Sequence, residues 1–269
     1  MRHALAAHGV QLTKSLGQNF LHDGNQLRRI AAAARLAPGD RVLEIGPGLG
    51  PLTELLLEQA GEVFAIEKDR RLLELLRARL GTHPRLRLLE GDGLEFVRGG
   101  GQDWTGWKLV ANLPYCIASP VLVELARAPA CPELVVVTLQ LEVAQRLTAG
   151  PGSRDYGVLT LAVQARYQPE GLFKIPASCF YPAPEIDSAC VVLRRRAELL
   201  LEPALHPVFD RIVRRSFSQR RKMMHKLLKE DWPAVAVDAA LSRLGIPHEA
   251  RAETISLAQY AALTRALRS

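Results

Sequence analysis

The chain changes its hydrophobic period twice. From residue 41 to residue 138, short unbroken apolar runs alternate with stretches whose apolar positions recur every third or fourth residue. The runs at 41–45, 62–67, 85–90, 108–113 and 134–138 predict strands; 52–59, 70–80 and a segment centred on 121–126 predict helices. Strands that do not alternate apolar with polar side chains are buried on both faces. This order therefore predicts a parallel sheet covered by helices, a doubly wound α/β domain. A helix at 25–36, stopped by Pro38-Gly39, precedes it, and residues 11–23 show neither period and predict an ordered loop. Beyond the fifth strand, residues 141–148 lead into a polar loop at 149–155. A helix near 158–165, a strand near 167–175, a proline-containing loop at 176–187 and a last strand at 189–194 follow. From residue 203 strand signals vanish, and helices are predicted at 205–217, 219–229, 232–244 and 256–267. The expected division is an α/β domain at 1–200 and a smaller all-helical domain at 201–269.

Composition excludes little, and charge adds more. The 269 residues are 48% hydrophobic and 23% charged, ordinary for a globular chain of one large and one smaller domain. No apolar run approaches the roughly 18 residues of a membrane span. His8-Gly9 interrupts the N-terminal stretch where a signal peptide needs a continuous apolar core. Cys116, Cys131, Cys179 and Cys190 lie far apart, without a CxxC pair or a histidine at ligand spacing. They read as free thiols in a reducing compartment, so a cytoplasmic chain without membrane association or metal is expected. The net charge is +7, and residues 210–229 carry eight basic side chains against Asp210 alone. That segment holds the entire net charge, which points to a polyanion, nucleic acid by default. A merely solvated basic helix face is the competing reading.

Candidate chemistry falls at the ends of the predicted strands, where a doubly wound sheet binds its ligands. Gly46-Pro47-Gly48-Leu49-Gly50 lets the backbone approach a ligand at a helix N-terminus. Glu67 ends the second strand, placed to accept from both hydroxyls of a ribose; Asp92 follows the third, placed to accept from an adenine amino group. A dinucleotide site needs the pyrophosphate over GxGxxG, and this turn has Pro51 where the third glycine of that spacing would stand. Glu44-Ile45-Gly46-Pro47-Gly48-Leu49-Gly50 instead resembles the motif of S-adenosylmethionine-dependent methyltransferases. Asn112-Leu113-Pro114-Tyr115 after the fourth strand offers an amide, backbone carbonyls, a rigid proline and an aromatic face to a flat nitrogen-bearing ring. The alternative is a plain strand-to-helix turn.

Asn-Leu-Pro-Tyr in this place also resembles the motif of amino-methyltransferases that act on adenine or cytosine. Ser15-Leu16-Gly17-Gln18-Asn19-Phe20-Leu21 resembles the GQNFL signature of the ribosomal RNA adenine N6,N6-dimethyltransferases. Phe180-Tyr181-Pro182-Ala183-Pro184-Glu185-Ile186-Asp187-Ser188 is similar to that family's FxPxPxVDS, and Ser216-Phe217-Ser218-Gln219-Arg220-Arg221-Lys222 to its FxQRRK. Cys116 stands where the family often has Asn, and Glu185 where a basic residue is common. The resemblance spans about residues 11–265 and is strongest to the bacterial small-subunit branch. It implies a Rossmann-like S-adenosylmethionine-dependent methyltransferase sheet with a C-terminal helical RNA-binding domain. It implies that Asn19, Leu21, Gly46, Glu67, Asp92 and Asn112 hold S-adenosylmethionine. The substrate implied is a pair of adjacent adenines near the 3′ end of 16S rRNA in a pre-30S subunit.

Catalysis is expected from geometry. The Asn112 side-chain oxygen and the Leu113 carbonyl accept from the adenine amino group, Tyr115 stacks on the base and Phe180 supplies a second face. The target adenine must be unstacked to enter. Arg194, Arg211, Arg214, Arg215, Arg220, Arg221 and Lys222 are expected to contact RNA phosphates, together with Arg195 and Arg196. The chain is expected to act as a monomer. The competing functions are a large-subunit (23S) adenine methyltransferase of the macrolide-resistance type, an RNA-binding assembly factor with secondary catalysis, and, more distantly, a nicotinamide oxidoreductase.

Overall fold

The computed structural model describes residues 19–268. Ser15 to Gln18 of the N-terminal motif, and the rest of the expectations for residues 1–18, lie outside the described residues. Two compact units emerge: Met1–Ala144 with Pro169–Arg195, and Gln145–Gln168 with Arg196–Ser269.

The first unit is built on a seven-stranded sheet. Its strands are β2 (Arg41–Ile45), β3 (Glu62–Glu67), β4 (Leu86–Glu90), β5 (Trp107–Asn112), β6 (Leu134–Gln140), β7 (Tyr167–Ile175) and β9 (Ser188–Arg195). The order across the sheet is β4-β3-β2-β5-β6-β9-β7. β2, β3, β4, β5 and β6 pair in parallel, while β9 lies antiparallel to β6 with Gln140 opposite Ser188. Chain order runs outward from β2 to β4 on one side and from β5 to β6 on the other. The switch point therefore falls between β2 and β5, and their carboxyl ends open a crevice there. Val42, Leu43, Val63, Leu109, Val110, Val135 and Val136 are all fully buried, which is why these strands carry no polar alternation.

The helices begin where the chain offers caps. Asp23 accepts from the Gln26 N–H at the head of α1 (Gly24–Ala33), and Asp69 accepts from the Arg71 N–H at the head of α3 (Arg70–Leu80). Gly50 at φ +81° turns into α2 (Pro51–Gln59), with Pro51 at its first position. Asp92 caps α4 (Gly93–Arg98), a short helix that periodicity did not reveal because six residues span less than two turns. The helix expected around 121–126 is α5 (Tyr115–Arg127) and starts inside the Asn-Leu-Pro-Tyr stretch.

The expected loops at 11–23 and 176–187 contain two paired two-residue strands, β1 (Phe20–Leu21) and β8 (Phe180–Tyr181). Phe20 faces Tyr181 and Leu21 faces Phe180. Alternation along each strand divides them: Leu21 and Phe180 enter one core cluster, whereas Phe20 and Tyr181 join Leu49 and Leu72 in another.

The second unit is helical but is not the continuous 201–269 segment expected. Beginning with the end of α6 (Leu141–Thr148), its elements include α7 (Val158–Gln164), α8 (His206–Phe217), α9 (Met224–Leu228), α10 (Ala234–Arg243) and α11 (Leu257–Ala266). Tyr156, Leu161 and Ala165 pack in one core with Phe209, Ile212, Leu228 and Tyr260, and that shared burial carries 145–168 into this unit. The expected helix at 219–229 shrinks to α9, because Gln219-Arg220-Arg221-Lys222 has no apolar face to bury and forms turns. Within this unit Arg215 grips Asp231 through two bonds of 2.8 and 2.9 Å and Glu230 through another of 2.8 Å. No helix among the described residues is long and apolar enough to cross a membrane.

Under the crevice lies a buried acid. Glu44, 1% exposed on β2, accepts a hydrogen bond of 2.7 Å from the Thr53 hydroxyl. Burial raises its pKa from 4.5 to about 8, outweighing that hydrogen bond. The folded chain therefore keeps a proton that the unfolded chain releases, and the stability it confers is present below pH 4.5 and lost as pH rises to about 8. Glu44→Gln should flatten this decline. Calorimetric Tm measured across that pH range for both proteins checks it; identical slopes would overturn the assignment.

Candidate active site

The crevice is walled by the ends of four strands and the turns after them. Gly46 and Gly48 lie after β2, Glu67 at the end of β3, Asp92 after β4, and Asn112 at the end of β5. All five expected positions come together. Gly46 (φ +72°) and Gly48 (φ +60°) adopt a backbone that side chains disfavour by about 1–2 kcal/mol. A Cβ at Gly46 would meet the Pro114 ring at 3.1 Å, and one at Gly48 would lie 2.8 Å from Phe20. The turn is thus glycine both for its conformation and for the close approach of its walls.

Glu67 is 6% exposed, and its orientation is set by main chain. One carboxylate oxygen accepts from the Gly48 N–H at 3.0 Å and the other from the Asp69 N–H at 2.9 Å. Burial raises its pKa, with those N–H groups acting in the opposite direction. The Lys68 N–H acts in the same sense, and the carboxylate still retains acceptor capacity for a ligand hydroxyl. Asp92 accepts from the Leu94 and Glu95 N–H groups with one oxygen and from Lys68 Nζ, at 2.8 Å, with the other. The Lys68 hydrogen bond leads in holding its pKa below the usual carboxylate range, so it is ionised. Lys68 also lines the crevice and was not anticipated; the one available signal was a basic residue directly after the strand-end acid.

Asn112-Leu113-Pro114-Tyr115 passes from strand to helix with two linking residues, Pro114 occupying the cap position of α5 at φ −55°. Asn112 Nδ2 donates to the Asn19 carbonyl at 3.0 Å, which fixes the amide. Its Oδ1 is buried and has no hydrogen-bond partner among the described residues. An acceptor left so costs about 1–3 kcal/mol, which a ligand donor would recover. Asn19, Leu113 and Tyr115 line the same crevice, as do Cys116 and Phe20. The Tyr115 hydroxyl meets Ser188 Oγ on β9 at 2.6 Å, so the last residue of the FxPxPxVDS-like stretch anchors the aromatic ring of the other motif.

Two expected residues turn away from the crevice. Phe180 is 2% exposed, packed in the core cluster that contains Leu21, and does not line the crevice. Strand alternation in β8 sends Phe180 inward and puts Tyr181 on the Phe20 side, so Phe180 is a packing residue here rather than an open stacking face. Leu21, also 2% exposed, places its side chain in the same core instead of over the crevice.

The expected phosphate contacts divide as well. In the first unit, Arg194 is half-exposed and paired with Glu170, and Arg195 donates to the Cys131 carbonyl. In the second, Arg215 is consumed by Asp231 and Glu230, and Arg211 pairs with Asp231 while lying 4.8 Å over the Trp232 ring. Arg196 donates to the Gln164 carbonyl. Arg214, Arg220, Arg221 and Lys222 are exposed, and the Arg220 guanidinium donates to the Arg154 carbonyl at 2.7 Å.

Burial raises the Tyr115 pKa and the Ser188 hydrogen bond lowers it. Ser188→Ala should therefore make this phenol titrate at still higher pH, whereas Ser188→Thr should not. Ultraviolet titration against a Tyr115→Phe reference reads the difference; an unchanged Tyr115 would show that Ser188 does not hold it.

Residues 9–268 match the family model for ribosomal RNA adenine dimethylase. The chain is 40% identical to the ribosomal RNA small subunit methyltransferase A of Geobacter sulfurreducens, covering 96% of each chain. It is 41% identical to that of Pelotomaculum thermopropionicum, covering 98% of this chain and 94% of the other. Among solved structures it resembles the 23S rRNA methyltransferase ErmE, at 32% identity and TM-score 0.72, over 93% of this chain and all of that one. A dimethyladenosine transferase from Plasmodium falciparum superposes with TM-score 0.76 at 26% identity, over 91% of this chain and 95% of that one. The motif order, the crevice at the switch point and these likenesses agree: the chain belongs to the ribosomal RNA adenine dimethylase family.

Proposed function

We propose that this chain dimethylates the exocyclic N6 of two adjacent adenines near the 3′ end of 16S rRNA, in an assembling 30S subunit. It uses S-adenosylmethionine and acts as a cytoplasmic monomer. The observation that carries the reading is the buried, unpartnered Oδ1 of Asn112, fixed by its own amide nitrogen at the rim of a nucleoside-shaped set of acceptors.

The residues present suit S-adenosylmethionine. Glu67 retains acceptor capacity for ribose hydroxyls, ionised Asp92 offers an acceptor for an adenine amino group, and the glycine turn leaves room for an uncharged body. Asn19 and Asn112 close the pocket. When bound, the cofactor supplies a methyl group on a sulfonium centre. The remaining work falls to the protein. An adenine amino nitrogen is a weak nucleophile because its lone pair is delocalised into the ring. Asn112 Oδ1 and the Leu113 carbonyl, accepting from its two N–H groups, favour a more tetrahedral nitrogen with its lone pair released for attack. Such alignment of two bound reactants contributes on the order of 7–11 kcal/mol at best. Tyr115, anchored by Ser188, stacks on the base, a contact worth roughly 1–3 kcal/mol.

The exposed Arg214, Arg220, Arg221 and Lys222 supply the phosphate grip. Arg194 and Arg211 contribute only by leaving Glu170 and Asp231, and Arg215 keeps a structural role. Arg214→Ala and Arg221→Ala should each lower the slope of log affinity against log salt by about 1, and Arg215→Ala should instead lower Tm. Filter binding over a salt series and calorimetry separate these effects.

Tritiated S-adenosylmethionine with unmethylated 30S subunits tests the activity itself. Label should map to two adjacent adenines near the 3′ end, and Asn112→Ala should slow it by roughly 10²-fold or more, as loss of a preorganised polar group does elsewhere. Label on 23S rRNA, or none, would overturn the proposal. Undiminished methylation by Asn112→Ala would overturn the role given to its oxygen.

A further inference from the structure

The helical unit brings together three side chains that the methyltransferase reading does not use. His225 is the second residue of α9, Asp238 lies in the middle of α10, and His248 stands in the turn that follows it. One ligand-capable atom from each lies within 4.8 Å of the other two. His225 Nε2 is 2.6 Å from Asp238 Oδ1, and the two imidazole rings stand 4.4 Å apart between centroids, tilted by 31°.

The backbone beneath them is fixed. The Met224 N–H donates to the Ala250 carbonyl at 2.9 Å, tying the head of α9 to the turn that holds His248. The Ala250 N–H closes that turn on the Pro247 carbonyl, and the Ile246 N–H returns to the Leu241 carbonyl, both at 3.0 Å. Met224, Leu227, Val237 and Leu241, which neighbour the cluster along the chain, are fully buried and anchor the same elements in the core. Ligands on a rigid frame lose little freedom on binding.

Two imidazoles and a carboxylate form a borderline nitrogen–oxygen set, which suits Zn²⁺ and its transition-metal neighbours rather than Mg²⁺ or Ca²⁺. With zinc bonds of about 2.0–2.2 Å, tetrahedral ligand atoms lie roughly 3.3 Å apart. The His225–Asp238 pair opens slightly to reach that spacing, and the exposed His248 swings in. The Lys229 ammonium, 3.0 Å from Asp238, is the resident competitor.

We propose that His225, Asp238 and His248 form a site for one Zn²⁺, with solvent as fourth ligand, that clips the turn after α10 to α9. This site does not depend on the proposed activity, so the two can fail separately. The test is calorimetric titration of ZnCl₂ into full-length, tag-free protein freed of metal by a chelator, with Co²⁺ absorption as a second readout. One Zn²⁺ per chain should bind and raise Tm. His225→Ala and His248→Ala should each weaken binding by at least the roughly 10–100-fold that even outer-shell losses cost. His248 is exposed, so its substitution leaves the core intact, which circular dichroism verifies. Lys229→Met should tighten binding by removing the competing cation. Absence of saturable binding, binding unchanged in both histidine variants, or weaker binding in Lys229→Met would overturn the proposal.

Discussion

The active-site architecture depends on a buried carboxylate held by main chain. Glu67 joins the end of β3 to the glycine turn after β2 through the Gly48 N–H, and joins itself to the head of α3 through the Asp69 N–H. Two strand ends and one helix start are thereby set relative to one another without a long side chain. The arrangement works only if the turn brings an N–H inward, which its left-handed glycines permit. It also leaves the acid desolvated, and Glu44 beneath it adds a further carboxyl that stays protonated.

The opposite wall follows a different rule. Asn112 spends its donor on the Asn19 carbonyl and keeps its acceptor unspent, while Tyr115 spends its hydroxyl on Ser188 and keeps its ring. Each side chain is anchored by one end, so the other is presented in a fixed pose. That division of labour suits a reaction limited by orientation more than by proton transfer.

Much of this was legible in the sequence because it rests on continuous local patterns. β2, β3 and α3 begin and end where the apolar runs and the Asp69 cap place them, and the strand-end positions of Gly46, Glu67, Asp92 and Asn112 follow from the strands. What was not legible depends on pairing at a distance. A one-residue alternation in β8, set by pairing with β1, decides that Phe180 faces the core. Arg215 resembles its basic neighbours in sequence, but only the fold places Asp231 and Glu230 against it. Residues 145–168 join the helical unit through side chains that reach helices dozens of residues later. The His225–Asp238–His248 cluster escaped for the same reason, since intervals of thirteen and ten residues match no ligand spacing on a single helix.

The antiparallel strand β9 has a consequence for how the protein comes into being. It lies between β6 and β7 although it follows both in the chain, and it brings Ser188 to Tyr115, while β8 just before it pairs with β1. As the chain leaves the ribosome from its N-terminus, the strands that wall the pocket emerge long before the residues that complete it. A nascent chain short of residue 180 has the cofactor wall but neither the anchored tyrosine nor the paired β1 segment. Synthesis order alone thus withholds a competent site until the α/β unit is nearly whole.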